Sequence, residues 1–174
     1  MYYVSIAAYS GHVGENHREA VTRLLDRLRF LCNDIAIVVG GYEGLMKHVV
    51  DVALSMGLKV IIIPPIEWED REFPKQAIVV KTGTTFTVRS IFIVHTSDAL
   101  IAVGGGSGSL HEILAAYSEG KPVYVLVGTG LPTDMLEKLP DRIDYRIVSS
   151  IKKYYDPEEL VRDLCVGLLK SKKN

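Results

Sequence analysis

The chain has 174 residues and a mass of 19.3 kDa, a length that fits one domain. Hydrophobic residues make up 48% of it and charged residues 24%, which excludes a disordered chain. With 20 basic and 21 acidic residues the formal net charge is −1, so no overall basic field is available to hold nucleic acid. The densest apolar run, 60–63, is far shorter than the roughly 20 residues of a membrane helix.

The two cysteines, Cys32 and Cys165, are far apart in the sequence and lack the spacing of a metal site. We therefore expect no disulfide, no bound metal and no cofactor. The N-terminus has no signal-peptide pattern, which favours a cytoplasmic protein. Gln76 is the only glutamine, and this scarcity of heat-labile amides indicates a thermophilic source.

Short apolar runs alternate with longer amphipathic stretches, which is typical of a buried parallel sheet covered by helices on both faces. The predicted strands are 3–8, 35–39, 59–63, 78–80, 99–103, 122–127 and 146–148. The predicted helices are 15–30, 45–56, one capped by Thr84 or Thr85 that runs to His95, 110–118, a short one at 132–139, and a terminal helix opened by Asp156. A charged surface loop is predicted at 67–75. The pattern predicts a single doubly wound α/β domain over residues 1–174.

Three glycine-containing turns, at 10–11, 40–44 and 104–109, each follow a predicted strand and precede a predicted helix. Ligands of doubly wound sheets bind beyond the carboxyl ends of the strands. Glycine lets the backbone approach a phosphate at a helix N-terminus. One such turn would be only a tight connection, but three together predict a phosphate-bearing ligand. The sequence has no Walker loop and no ordinary dinucleotide fingerprint, so a conventional NAD-dependent dehydrogenase is excluded.

Two charged residues lie near these turns. Glu112 follows the third turn, where the helix dipole alone would stabilise a carboxylate; the same position suits a group that handles a sugar or a departing base. Arg89 lies in a helix rich in apolar residues. Its stem is either covered by these neighbours, or its guanidinium makes a bidentate phosphate contact. The residues alone leave these alternatives open.

The stretch from Arg89 to Glu112 resembles the signature of the LOG family, the cytokinin-activating phosphoribohydrolases. The family hallmark is an arginine followed by a PGGxGTxxE loop. Residues 104–112 read GGGSGSLHE, and Arg89 and Glu112 are 23 positions apart, which matches the family spacing. Upstream, residues 40–46 read GGYEGLM and resemble the family's GGG-x-x-GLM turn. The resemblance covers roughly residues 2–128.

The resemblance implies a Rossmann-like fold, a homodimer with sites near the subunit interface, and hydrolysis of the N-glycosidic bond of a nucleoside 5′-monophosphate. Arg89 and Glu112 would be the catalytic pair. Glu112 would stabilise the positive charge that builds on the ribose or activate water, and Arg89 would fix the nucleotide or neutralise the departing base. The implied phosphate or nucleotide contacts are Ser10, Gly11, Gly40, Gly41, Gly44, Met46, Gly104, Gly105, Gly106, Ser107, Gly108 and Ser109.

Three departures from the motif place the chain on a divergent branch: Gly104 replaces proline, Ser109 replaces threonine, and Tyr42 replaces glycine. The wider superfamily includes proteins similar to molybdenum cofactor carriers, which bind a phosphorylated pterin and do no glycosidic chemistry. The predicted function is therefore a LOG-like phosphoribohydrolase, with a non-catalytic carrier or sensor of a phosphorylated ligand as the alternative. A lysine decarboxylase is excluded, because no lysine lies in a context that would hold a pyridoxal cofactor. No nucleic-acid or membrane partner is expected.

Overall fold

The computed structural model describes residues 1–146 and 149–171. Its strands are β1 (Tyr2–Ala7), β2 (Ile35–Val39), β3 (Lys59–Ile62), β4 (Ile78–Val79), β5 (Ala99–Ala102), β6 (Val123–Leu126) and β7 (Ile151–Tyr154). Its helices are α1 (Glu15–Leu31), α2 (Gly44–Ser55), α3 (Phe86–Thr96), α4 (Ser107–Ser118) and α5 (Pro157–Ser171). Short 3₁₀ helices lie at Ile66–Trp68 and Pro132–Lys138.

The strands form one parallel sheet in the order β4-β3-β2-β1-β5-β6-β7. The chain builds outward from β1 to β4 and then returns to place β5 on the other side of β1. The order therefore reverses between β1 and β5, whose register sets Val4 opposite Ala99. This is a Rossmann-like, doubly wound α/β fold, and the predicted fold class is confirmed.

Helices cover both faces of the sheet. Helices α1, α2 and α5 share one hydrophobic core with the sheet, and α3 and α4 pack together on the opposite face. Every residue of β2 and β5 is buried, because neither face of these central strands meets water. Within the described part of the chain, no helix is long and apolar enough to cross a membrane.

The prediction of the last strand at 146–148 is wrong in its placement. Arg146 lies in a turn, residues 147 and 148 are outside the described residues, and the last strand is β7. Because two of its four residues are lysines, β7 lacks the apolar run by which the other strands were predicted. In the structure Lys152 pairs with Asp163, and Lys153 pairs with Asp141 at 2.6 Å. Charged side chains are typical of an edge strand, which they protect from pairing with other chains.

The expectation of no disulfide is also wrong. Cys32, at the end of α1, is bonded to Cys165 of α5, with their Cα atoms 5.5 Å apart. The two residues are 133 positions apart in sequence, and the packing of α5 against α1 brings them together. Disulfides are rare in reducing compartments, and intracellular proteins of hyperthermophiles are the known exception.

Loss of this disulfide is expected to lower the free energy of unfolding by about 3–5 kcal/mol, because it closes a loop of 133 residues in the unfolded chain. Denaturant unfolding of the wild type with and without reductant measures the effect. The Cys32→Ala/Cys165→Ala double variant is the control, since reductant has no bond to act on there. A wild type that unfolds at the same denaturant concentration in both conditions would contradict the prediction.

Candidate functional site

A cleft of about 180 Å³ opens where β1 and β5 end, at the reversal of strand order where ligands of such sheets bind. Eight of the residues predicted from the sequence line it: Ser10, Met46, Arg89, Gly106, Ser107, Gly108, Ser109 and Glu112. Four residues that the sequence analysis did not name line it as well: Ala8, Tyr9, Trp68 and Phe86.

A buried ion pair forms one wall of the cleft. Arg89 is 6% exposed and Glu112 is 7% exposed. Nη1 of Arg89 lies 3.2 Å from Oε1 of Glu112, and the Ser90 hydroxyl donates to the same oxygen at 3.0 Å. Because Oε1 accepts both hydrogen bonds, Oε2 is the oxygen of Glu112 that a ligand in the cleft can meet.

Burial and pairing act in opposite directions on the charges of this wall. Burial raises the pKa of Glu112, while Arg89 and the Ser90 hydrogen bond oppose the rise. Burial lowers the pKa of Arg89, and the Glu112 carboxylate opposes that fall. Each residue therefore helps the other to stay charged in a place where water is scarce.

Gly40, which directly follows β2, leaves room for the buried side chain of Arg89. A Cβ atom at this position would overlap the guanidinium of Arg89. Gly40 is buried and does not line the cleft; the absence of its side chain leaves the space that Arg89 fills.

Gly40→Ala is expected to displace Arg89 and to leave Glu112 buried without its cation. Breaking a buried pair in this way costs about 3–5 kcal/mol of stability. Gly108→Ala is the matched control, since a Cβ there would meet no atom within 4 Å and alanine favours a helix. Denaturant unfolding compares the two variants, and a Gly40→Ala protein as stable as Gly108→Ala would show that Arg89 does not need this space.

The N-terminus of α4 provides the predicted phosphate seat. Its first-turn N–H groups, from Ser107 to Ser109, have no preceding helical carbonyl to bond, and its first turn carries no acidic residue. These groups and the positive end of the helix dipole favour an anion. Ser107 and Gly108 are exposed, so a ligand can reach them.

Thr133 holds the loop in front of this seat. The amide of Gly105 donates to the Thr133 hydroxyl at 3.0 Å, and the Gly105 carbonyl accepts from the Thr133 amide at 3.1 Å. The Gly105 N–H is therefore bonded to Thr133 and does not bind the phosphate of a ligand. Thr133 is fully buried, and the sequence analysis missed it because it lies in the separate 3₁₀ helix after β6.

Gly11, Gly41 and Gly44 belong to the glycine turns at 10–11 and 40–44 and do not line the cleft. The amide of Leu45 donates to the Tyr9 carbonyl at 2.8 Å and joins the first turn to the second. Gly44 has a φ of 52° and lies so close to the backbone of Ser10 and Gly11 that no side chain fits. Of the predicted contacts, those that do not line the cleft are Gly11, Gly40, Gly41, Gly44, Gly104 and Gly105.

The family assignment rests on most of the chain. A model of the SLOG cluster4 family matches residues 11–155, a span that includes the whole cleft except Ala8, Tyr9 and Ser10. The chain belongs to this family. The SLOG cluster4 family is part of the LOG-like superfamily, so the resemblance seen in the sequence, to a divergent branch of that superfamily, is confirmed.

Three similar proteins illustrate the range of the relationship. An uncharacterized protein of Archaeoglobus fulgidus is 36% identical over 119 residues, which are 67% of this chain and 77% of the relative. The X-ray structure of TM1055, a structural genomics target, is 31% identical with a TM-score of 0.83 and covers 94% of this chain and 98% of its own. The molybdenum cofactor carrier protein of Chlamydomonas reinhardtii is 20% identical with a TM-score of 0.77 over 97% and 98% of the two chains. This last likeness shows a shared fold.

Proposed function

We propose that this SLOG cluster4 protein binds a nucleoside 5′-monophosphate in the cleft and hydrolyses its N-glycosidic bond. Its family and fold support a ligand-binding role; the proposal adds the ligand and the reaction. The observation that carries it is the placement of Glu112. The carboxylate is buried and lines the cleft, and Arg89 and Ser90 both bond one of its oxygens. The other oxygen accepts no hydrogen bond from the residues that the structure describes.

The distance along α4 between the phosphate seat and Glu112 suits the distance between the phosphate and the ribose of a nucleotide. Glu112 follows Ser107 by roughly 7.5 Å of helix, at 1.5 Å rise per residue, and its side chain leans back toward the helix N-terminus. A 5′-phosphate held by Ser107 and Gly108 therefore places the ribose, one sugar ring away, beside the Glu112 carboxylate.

The reaction breaks the bond between C1′ of the ribose and the ring nitrogen of the base. The bonding electron pair leaves with the base, which takes up a proton, and positive charge builds on the ribose. The negative charge of Glu112 stabilises that charge, and Oε2 accepts a proton from the water that attacks C1′. The products are the free base and ribose 5-phosphate. Arg89 acts through Glu112, because it keeps the carboxylate ionised.

Release of free base from AMP, GMP, CMP, UMP and IMP, followed by chromatography, tests the proposal. We expect release from at least one of these nucleotides, together with an equal amount of ribose 5-phosphate. Binding of nucleotides without any base release would contradict the hydrolase.

A non-catalytic carrier of a phosphorylated pterin is the second candidate. The observation that favours it is the close fold similarity to the molybdenum cofactor carrier protein over nearly the whole of both chains. Gly104, which stands where the hydrolase motif has proline, also favours the carrier. The two functions share the phosphate seat and differ in whether Glu112 does chemistry.

We also propose that the homodimer implied by the LOG resemblance forms through α3. This helix buries Arg89 and Ser90 and exposes Val88, Ile91 and Phe92, each more than 40% accessible. Such an apolar stripe is typical of a contact surface. Light scattering after size exclusion is expected to show a dimer for the wild type and a monomer for Phe92→Glu; a wild-type monomer would contradict the proposal.

A further inference from the structure

Three aromatic side chains that the proposed reaction does not use stand around the cleft. Tyr9 follows β1, Trp68 ends the 3₁₀ helix after β3, and Phe86 begins α3. All three line the cleft together with the phosphate seat and Glu112. Phe86 is 42% exposed, and Tyr9 and Trp68 are half-buried, so ring surface is open to a ligand.

Trp68 is held in place from several directions. Its ring meets Phe86 edge to face, with centroids 5.0 Å apart and an angle of 87°. The guanidinium of Arg71 lies over the ring at 4.5 Å and is itself paired with Glu43 at 2.6 Å. At Gly41 a Cβ atom would come within 2.8 Å of the ring. The indole is therefore fixed before any ligand arrives, which lowers the entropy cost of binding.

The backbone supports the same arrangement. The amide of Ile66 donates to the carbonyl of Thr84 at 2.8 Å, and the amide of Gly83 donates to the Glu69 carboxylate at 2.7 Å. These bonds tie the loop that carries Trp68 to the segment that leads into α3. The charged surface loop predicted at 67–75 thus contributes Trp68 to the cleft wall.

The lining of the cleft is polar as well as aromatic. Tyr9 packs beside the glycine loop, since a Cβ atom at Gly106 would lie 3.8 Å from its ring. The same cleft is lined by Ser107 of the phosphate seat and by the apolar side chains of Trp68, Phe86 and Met46. The cleft thus combines groups that suit an anion with ring surfaces that suit a flat heterocycle.

We propose that Trp68, with Phe86 beside it, stacks on the heterocycle of the ligand and makes the site prefer phosphorylated compounds that carry a flat aromatic ring. Bicyclic purines and pterins bury more ring surface than pyrimidines, so they bind tighter. This inference rests on the proposed function, because it adds to the phosphate the second part of the same ligand that the cleft recognises. It holds for the hydrolase and for the pterin carrier alike.

Trp68 is the only tryptophan of the chain, so its fluorescence reports on its own ring. The experiment uses the Glu112→Gln background, in which nucleotides are bound but not hydrolysed. It titrates this protein with ribose 5-phosphate, CMP, AMP, GMP and neopterin phosphate, and follows binding by calorimetry and by fluorescence. We expect AMP and GMP to quench Trp68 and to bind about 10- to 100-fold tighter than ribose 5-phosphate, as one stacked ring predicts. Ribose 5-phosphate is expected to bind without quenching.

Two substitutions at the same position make the test specific. Trp68→Leu is expected to bring the affinity for AMP down to that for ribose 5-phosphate, whereas Trp68→Phe keeps a flat ring and most of the preference. Phe30→Leu removes an exposed aromatic from α1 and is expected to change neither affinity. Thermal unfolding of each variant confirms that the fold is retained.

The outcomes separate this inference from the function it rests on. Equal affinities for AMP and ribose 5-phosphate when Trp68 is present, or an unchanged preference in Trp68→Leu, would overturn the stacking but not the phosphate site at the N-terminus of α4. No binding of ribose 5-phosphate or of any nucleotide or pterin would overturn both. Tighter binding of neopterin phosphate than of AMP would support the stacking and favour the carrier over the hydrolase.

Discussion

Glu112→Gln is expected to lower kcat/KM for base release by about 10²- to 10⁴-fold, the range associated with loss of a general base or of one electrostatic contact to the transition state. The glutamine keeps the shape of the side chain but carries no negative charge to stabilise the ribose cation. The phosphate and ring contacts remain, so KM is expected to change little and the loss to fall on kcat. Chromatography of the free base gives both constants.

Glu119→Gln is the matched control for this prediction. Glu119 lies at the other end of α4, where it contacts Lys121 at 3.6 Å, away from the cleft. Its substitution is expected to leave base release unchanged. A Glu112→Gln protein that releases base as fast as the wild type would contradict the role of this carboxylate in the mechanism.

The sequence predicted the framework well because the fold depends on signals that are local. Fully apolar runs such as 35–39 mark buried strands, and the glycine turns after them mark the carboxyl edge of the sheet. The cleft and the pairing of Arg89 with Glu112 follow from that edge once the strand order is known. The predictions that failed concern contacts that form only when distant parts of the chain pack together. The bond from Cys32 to Cys165 joins residues 133 positions apart, and nothing near either cysteine indicates it.

The orientation of α3 was the second piece of information that the sequence concealed. The apolar residues of this helix left open whether they cover the stem of Arg89 or whether its guanidinium reaches a ligand site. In the structure Val88, Ile91 and Phe92 are exposed. The buried residues of the helix are Arg89, Ser90, Ile93 and Val94. A buried arginine under exposed aromatics contradicts the usual rule of burial. This contradiction supports the proposed site at Arg89 and Glu112 and the proposed dimer contact through α3.

The aromatic wall was missed for a related reason. Trp68 lies among charged residues in a segment that composition alone marks as a solvated loop. A single tryptophan in such a loop is itself unusual, and this signal was available in the sequence. Its partner Phe86 is 18 positions later, so the T-shaped contact between them required the structure.

Arg89→Met is expected to abolish most base release at neutral pH by acting on Glu112. Without the guanidinium, burial raises the pKa of Glu112 further, and the carboxyl takes up a proton. The protonated group neither stabilises the ribose cation nor accepts a proton from water. Activity is therefore expected to recover in part as the pH rises, with the acidic limb of the rate profile shifted to higher pH than in the wild type. A uniform loss at every pH would instead mean that Arg89 contacts the substrate.

The free energy of unfolding of Arg89→Met is also expected to depend on pH, because it too depends on the protonation of Glu112. Because the folded-state pKa of Glu112 lies above its unfolded value, the folded protein binds the proton more tightly. The variant is therefore most stable at a pH below the pKa that Glu112 has in the unfolded chain. Its free energy of unfolding falls as the pH rises from there through the pKa that Glu112 has in the folded protein. At neutral pH the loss relative to the wild type is expected to be about 3–5 kcal/mol, the range found when one partner of a buried ion pair is removed.

The Arg89→Met/Glu112→Leu double variant separates the stabilising role of the pair from its chemical role. Apolar residues of similar size replace a buried ion pair without loss of stability in many proteins. We therefore expect the double variant to regain most of the stability lost in Arg89→Met and to lose its dependence on pH, while base release stays absent. Denaturant unfolding across the pH range measures the first two effects. A pair that can be replaced in the fold but not in the reaction is retained for its chemistry.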